Sequence, residues 1–407
     1  MPMKPGERAD IVIVGGGAVG CAVAYSLATA GYTDVLLVEA APSLASKTTS
    51  MAAGLVGQVR SSVERTQLAM WSVQTFSELA RDERVNPGWR QVGSLRLALT
   101  DDRVLEFEQL KQTADAAGLE VSWIDPQQAA SKFPRIDFSK AKRILWCPTD
   151  GYLQPYDLAM AYVAHSRRLG VRFQTNAAVR NVVVRAGRVA GVETTAGPIE
   201  CKTVINAAGA HAYQLAQSVG IELPIVPVRH EFFVTVQCDG LHPTLPVVRI
   251  PDSTLYLRAE TSALLCGGWE PNALSLDPRT VAIDQDTPNI EDDYDVLSWF
   301  AQQLAPQLPQ VDSLGIRADF KGWPTFTPDG RFIVGESCHV PGYVMAGGCN
   351  AHGVSGSAGL GKHVVESLVE EEPSSYVRSL SPDRFTEHDW DWETARSDAQ
   401  RQYETYY

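Results

Sequence analysis

Long apolar runs are missing from this chain. No stretch approaches the roughly 18 residues that a bilayer-spanning helix needs, so no membrane span is expected. Paired cysteines are missing as well. The seven cysteines are odd in number, scattered, and form no CxxC pair, which argues against a disulfide framework or a zinc site and fits a reducing cytoplasm. An excess of basic charge is absent: 35 Lys and Arg against 48 Asp and Glu leave a net charge of −13. That surface repels nucleic acid and anionic lipid. The opening MPMKPGERAD has neither an apolar core nor a small-residue cleavage site, so no secretory signal is expected there. No repeat at solenoid periods is visible. What remains is an ordinary globular composition, 44% hydrophobic over 407 residues, enough for about two to three domains.

The first forty residues read as one unit. A β-branched run, Asp10–Val14, leads into GGGAVG at Gly15–Gly20, helical Cys21–Ala30, a C-cap glycine at Gly31, and a second buried strand, Thr33–Val38, ending at Glu39. Right-handed crossover makes the two strands parallel. Gly15 permits the tight turn, Gly17 lets the backbone approach a pyrophosphate, and Gly20 allows helix–strand contact. The phosphates then sit on the helix N-terminus, at Ala18 and Val19, and Glu39, with Ala40 beside it, accepts from a ribose hydroxyl.

Further along, Leu68, Trp71, Phe76 and Leu79 recur at helical spacing, and VGSLRLAL reads as a strand. Pro155 opens a helix with Leu158, Ala161, Tyr162, His165 and Leu169 on one face, closed by Gly170. Residues 171–205 read as four short strands, 225–270 as strand-rich, 293–304 as a helix, and 355–368 as the final helix. The tail from Pro382 is acidic and aromatic, an ordered arm or a frayed end. The predicted class is α/β: a discontinuous Rossmann-like domain (1–90, 141–224 and 321–380), an inserted antiparallel-sheet substrate domain (91–140 and 225–320), and a tail, 381–407.

Two further glycyl junctions face the same way as the first: Asn206-Ala207-Ala208-Gly209, and the cluster Gly347, Gly348, Cys349, Asn350, Ala351, His352, Gly353. Three returns to one sheet edge suit a long extended cofactor, FAD, better than a nicotinamide dinucleotide. A helix N-terminus near Val354–Gly356 would stabilise negative charge at N1–C2=O of a reduced flavin.

These residues also carry a resemblance. GGGAVG, SKTTSMAAGLVGQVRSS (46–62), PVRHEFFVT (227–235), GWPTFTPDGRFIVG and GGCNAHGVSGSAGLGK are similar to motifs of the glycine/sarcosine/D-amino acid oxidase family, nearest to sarcosine and dimethylglycine dehydrogenases. The resemblance implies oxidation of an amine C–N bond with FAD, and adds Thr48, Thr49, Met51, Ala53, Gly54, Leu55 and Val179 to the expected cofactor contacts. Where many of those dehydrogenases attach flavin to a histidine this chain has Met51, and Lys321–Phe326 lacks the cysteine that monomeric sarcosine oxidases use. Dissociable FAD is therefore expected. The chain is too short for the dehydrogenases' folate-binding region, so a released one-carbon unit would leave as formaldehyde. No lysine occurs in Leu255–Trp269 to assist oxygen, so the acceptor is oxygen, poorly used, or a separate carrier.

By the same resemblance Arg60 holds a substrate carboxylate, Ser355 replaces a second, lysine ligand, and His230 is a pocket histidine. Tyr256 and Arg258 share one strand face and stand as pocket candidates beside them, His352 is a cofactor contact, and Trp269 and Trp323 form an apolar wall or simply core. The expected substrate is a small secondary or tertiary amine, an N-methyl amino acid oxidised through an iminium. Two other readings fit the same residues: a D-amino or cyclic imino acid substrate, or a flavin-binding subunit of a larger complex. For the last, Trp390, Trp392, Tyr403, Tyr406 and Tyr407 would form a docking arm.

Overall fold

The computed structural model describes residues 6–387 and 389–406. Met1–Pro5 and Tyr407 lie outside the described residues.

A six-stranded sheet organises the first half. Its order is Ile333–Glu336, Tyr343–Gly347, Thr203–Asn206, Ile11–Val14, Val35–Val38, Arg172–Gln174, parallel throughout except at the first pair. The central strands IVIV and VLLV are buried at every position, as continuous apolar runs are in parallel sheets covered on both faces. One face carries Ile11, Ile13, Val35 and Leu37 against the helices Ala18–Thr29, Pro155–Arg168 and Ser357–Val369. The other carries Val12, Val14, Leu36 and Val38 against a four-stranded sheet built from Val182, Val189, Val192 and Ile199. Register fixes the working edge: Asn206 pairs with both Val14 and Met345, and Val14 with Val38. All three glycyl junctions therefore leave the sheet at one level.

The second unit is an eight-stranded sheet, ordered Ile316–Gly322, His230–Thr235, Ala263–Gly268, Leu255–Glu260, Val247–Ile250, Ser94–Ala98, Arg143–Cys147, Ser122–Ile124. All its pairs are antiparallel except Val247–Ile250 with Ser94–Ala98. Leu297, Phe300 and Leu304 of the helix Tyr294–Leu304 cover one face; the opposite face looks onto the working edge of the first sheet.

Several details differ from the sequence reading. Arg143–Cys147 belongs to the eight-stranded sheet, beyond the boundary drawn at residue 141. Residues 171–206 hold five strands, because Gly197–Glu200 is separate from Thr203–Asn206. Trp71 is 41% and Leu169 45% exposed. On the helix Val63–Leu79 the buried line runs Leu68, Ser72, Phe76, Leu79, and small Ser72 is chosen where Gly359 N donates to its hydroxyl at 2.9 Å. Trp71 points outward instead, under Lys362 Nζ. The final helix is Trp392–Glu404: the tail is ordered, capped by Asp391, with Ala395, Ala399 and Tyr403 forming one buried face.

Candidate functional site

A continuous trough runs from the edge of the six-stranded sheet to the inner face of the eight-stranded one. Gly17, Thr48, Thr49, Ala207 and Gly209 line both its halves.

The outer half has the features that a dinucleotide cradle needs. Gly15 has φ +107°, and a Cβ there would lie 2.4 Å from the Ala207 carbonyl oxygen, so only glycine fits. Gly20 faces back into the turn, where a Cβ would meet the Gly15 carbonyl. It is a packing glycine and does not line the trough. Gly17 caps the helix Ala18–Thr29 without a side-chain acceptor of its own, and Gly17, Ala18 and Val19 bring the positive end of the helix to the trough lining. Thr49 Oγ1 accepts from Ala18 N at 3.0 Å and ties the 46–52 turn to this helix. Glu39 accepts from Gly16 N at 2.6 Å and Ala41 N at 2.8 Å. Each carboxylate oxygen keeps a second lone pair for a ribose hydroxyl. Ala40 and Val179 complete this end. The shape, the amide cluster and the placed acid fit an FAD.

The inner half is built on one transverse row of the large sheet. Arg96 pairs with Arg249, Arg249 with Tyr256, Tyr256 with Gly267, and Gly267 with Phe232. Gly267 is required, since a Cβ would stand 2.4 Å from the Tyr256 hydroxyl. That gap lets Tyr256 reach His230 Nε2 at 2.7 Å. His230 stacks on Trp269 at 4.3 Å between centroids, and its Nδ1 lies 3.2 Å from the Tyr403 hydroxyl. Burial pushes the His230 imidazole down to about 3, so it is neutral.

Arg60 enters from the loop before the helix Val63–Leu79, its guanidinium donating to Val59 O at 3.0 Å. Burial pushes Arg60 down to about 9, Tyr406 acting the other way and Arg96 and Arg249 adding to the depression. Among the described residues no carboxylate lines this inner half, whereas Arg60 and Arg249 both do. It is an anion-seeking cavity with aromatic walls: Trp269, Trp323, Tyr256 and Tyr406. Met51, Ala53, Gly54, Leu55 and Gly353 floor it.

Five further sequence candidates are not on the lining. Arg258 turns away, donating to Ala53 O at 2.9 Å and pairing with Glu260 at 2.6 Å; its charge is neutralised there. Gly347 ends its strand, and Gly348 packs against Thr327. Asn350 clamps the loop, its amide donating to Gly348 O and its oxygen accepting from Thr327 N. His352 sits behind Tyr406: its Nδ1 lies 2.7 Å from the Asn350 carbonyl, so that nitrogen carries the hydrogen and Nε2 accepts from Tyr406. Burial, with Arg60 nearby, keeps His352 neutral.

Arg249 and Tyr406 are the charged and the aromatic residue on the inner lining that the sequence reading did not place there. The first had a signal, a lone arginine in the apolar strand VVRI, as Arg96 is in SLRLA. Tyr406 had none, because its role depends on where the tail folds back.

The family model described as "DAO: FAD dependent oxidoreductase" matches residues 10–367. The chain belongs to that family. Its DAO-family relatives include 4-methylaminobutanoate oxidase (formaldehyde-forming) of Paenarthrobacter nicotinovorans, 31% identical over 93% of this chain and 46% of the relative. Dimethylglycine dehydrogenase of Rattus norvegicus is 30% identical over 93% and 45%. The pyruvate dehydrogenase phosphatase regulatory subunit of Mus musculus is 29% identical over 93% and 43%. The chain thus spans less than half the length of these curated relatives. Among solved structures, L-proline dehydrogenase from P. horikoshii superposes with a TM-score of 0.85 at 23% identity, over 95% of this chain and all of that one. Glycine oxidase from Geobacillus kaustophilus gives 0.78 at 23%, over 94% and all of that one. Those likenesses establish the mixed α/β DAO fold, and FAD is the cofactor of the family.

Proposed function

We propose that the chain oxidises the C–N bond of an N-methyl amino acid and releases formaldehyde. The observation that carries this reading is the inner cavity, where Arg60 and Arg249 stand among aromatic side chains and no carboxylate of the described residues lines the wall. Two guanidinium groups in a half-dry cavity suit a carboxylate of the substrate. The amine end is left to a wall of aromatic side chains, Trp269, Trp323, Tyr256 and Tyr406, which suits N-alkyl groups and offers few acceptors for N–H donors. A primary ammonium would want more acceptors than this wall offers. The relative named as a formaldehyde-forming methylaminobutanoate oxidase supports the same substrate class.

The residues then have distinct tasks. Arg60 and Arg249 orient the carboxylate, which sets the N-methyl carbon over the trough floor. FAD, when bound, accepts a hydride from a carbon next to nitrogen. Tyr256, backed by neutral His230, offers its oxygen to the substrate N–H and favours the amine with its lone pair available. The aromatic wall excludes bulk water while the iminium forms. Water then adds to the iminium carbon, giving formaldehyde, the smaller amine and a proton. We read the six-stranded sheet with its helices as the cofactor unit and the eight-stranded sheet as the substrate unit. With seven free cysteines and no helix among the described residues long and apolar enough to cross a membrane, the cytoplasm is the compartment we propose.

The test is anaerobic bleaching of the bound chromophore against N-methyl, D- and imino acids, with formaldehyde and ammonia assayed after turnover. Bleaching by N-methyl amino acids with stoichiometric formaldehyde is expected; ammonia release alone would discard the reading. One match favours a second reading, a flavin-binding subunit of a larger complex, because one relative is named a regulatory subunit. Bleaching of the purified chain by a small amine removes the motive for it.

A further inference from the structure

The tail was open to two readings from sequence, an arm or a frayed end. Its helix Trp392–Glu404 instead delivers Tyr403 into the wall behind His230, where Tyr403 is fully buried. We propose that Tyr403 is a positioning residue of the active site: held by Glu270, it fixes the tautomer of His230 and so makes the Tyr256 oxygen an acceptor toward the substrate nitrogen. This rests on the reading of the cavity as an amine-oxidation site.

Counting hydrogens along the chain of contacts gives the result. The Tyr403 hydroxyl donates to Glu270 Oε2 in a very short hydrogen bond. Glu270 is held in turn by Arg229, whose Nη2 lies 3.3 Å from its other oxygen. That guanidinium supplies the positive charge that lets a buried carboxylate act as acceptor. Having given its only hydrogen to Glu270, the Tyr403 oxygen can only accept. His230 Nδ1, 3.2 Å away, must therefore carry the ring hydrogen. His230 Nε2 is then bare, and the Tyr256 hydroxyl, 2.7 Å from it, is the donor. The hydrogen of Tyr256 is committed to His230, so anything meeting its oxygen from the cavity meets an acceptor. An amine N–H is matched; a group that can only accept is not.

The opposite tautomer reverses every step. With hydrogen on Nε2, His230 would donate to Tyr256, and Tyr256 would turn its own hydrogen toward the cavity, against the substrate N–H. Nothing in the strand His230–Thr235 itself selects between the two. The choice comes from the tail, through Tyr403, and from Arg229 and Glu270, which stand just before the strand His230–Thr235 and just after the strand Ala263–Gly268. Trp269 stacks on the imidazole at 21° between planes and holds the ring in register with both hydroxyls.

The holoprotein labelled with ¹⁵N-histidine reports the tautomer directly in long-range ¹H–¹⁵N correlation spectra, with His230→Asn giving the assignment. The expected wild-type pattern is hydrogen on Nδ1 and none on Nε2. Tyr403→Phe removes the acceptor, and Glu270→Gln, whose oxygen Arg229 takes, turns an NH₂ toward Tyr403 and makes Tyr403 donate to His230. Both variants should move the population to Nε2–H, slow substrate-driven FAD reduction at least tenfold, and leave binding of acetate, a carboxylate alone, within twofold. A wild-type Nε2–H pattern overturns the proposal without any variant. So does a tautomer change with unaltered reduction rate, or a slowed reduction with an unaltered tautomer. If wild type is not reduced by any N-methyl amino acid, the functional reading fails, while the tautomer spectra still judge the hydrogen-bond chain by themselves.

Discussion

Tyr406 lies face to face with Trp269, ring centroids 3.7 Å apart and planes 20° from parallel. On its far side it stacks with His352 at 5.1 Å, and its hydroxyl donates to His352 Nε2. A residue from the last turn of the chain is thus sandwiched into the wall of the inner cavity. Tyr406→Ala should leave the bound-FAD spectrum unchanged and raise KM for an N-methyl amino acid about tenfold, because it opens the cavity wall and removes the stacking partner of Trp269, a loss of about 1.4 kcal/mol. Steady-state kinetics with a flavin titration checks it, and an unaltered KM would remove Tyr406 from the substrate wall.

Arg60 and Arg249 divide the second prediction between them. A charged hydrogen bond to a carboxylate contributes about 1.5–3 kcal/mol, and every 1.4 kcal/mol is a factor of ten. Arg60→Ala and Arg249→Ala should each raise KM roughly ten- to a hundredfold while FAD stays bound. The amine analogue without a carboxylate serves as the control: its KM should hardly move. Should both variants bind substrate as wild type does, the cavity's charge serves something other than a carboxylate.

The third prediction concerns how FAD is held. Met51 lines the trough where its relatives were expected to carry an attaching histidine, and a thioether makes no such bond. Cys349 is the cysteine on the inner lining, and burial pushes its thiol up to about 12, so it offers little thiolate. Acid precipitation should leave a colourless pellet and a yellow supernatant. Gly15→Ala, whose Cβ would meet the Ala207 carbonyl, should cost the protein most of its FAD.

What was legible in the sequence follows a physical pattern. Backbone-dictated features could be read, because chemistry there is set by local residue type: the turn at Gly15–Gly20, the parallel strands, and the junction at Asn206–Gly209 all stand where their residues require. Side chains on a strand could be assigned a face but not a neighbour. Tyr256 and Arg258 do share a face, yet Gly267 opposite Tyr256 leaves room for a hydroxyl at the cavity, while Arg258 finds Glu260 and the Tyr152 ring. Cross-strand partners of that kind come from register across segments far apart in the chain. The tail was least legible, since its alternation of acids and aromatics is equally that of an exposed arm; only Ala395, Ala399 and Tyr403 at helical spacing hinted at a buried face.

Glu231 offers a prediction in pH. It is fully buried on the strand that carries His230, with Arg229 Nε 3.4 Å from its carboxylate. Burial pushes its carboxyl up to about 7, Arg229 opposing and Glu270 and Asp293 adding to the rise. A carboxyl whose folded value lies above its unfolded value of 4.5 binds more protons in the folded state between those two pH values. Stability contributed by this group is therefore complete below pH 4.5, falls as pH rises, and is fully lost above about pH 7, a total of about 3 kcal/mol. Glu231→Gln removes the titration and keeps the shape, and Arg229 retains Glu270 and Asp293 as partners. The variant's melting temperature should gain on that of wild type by about 3 °C between pH 5 and pH 7.5, the shift expected for that energy in a chain of this length. Scanning calorimetry of both holoproteins across that range decides it, and a gap that stays constant with pH would mean that Glu231 is ionised throughout.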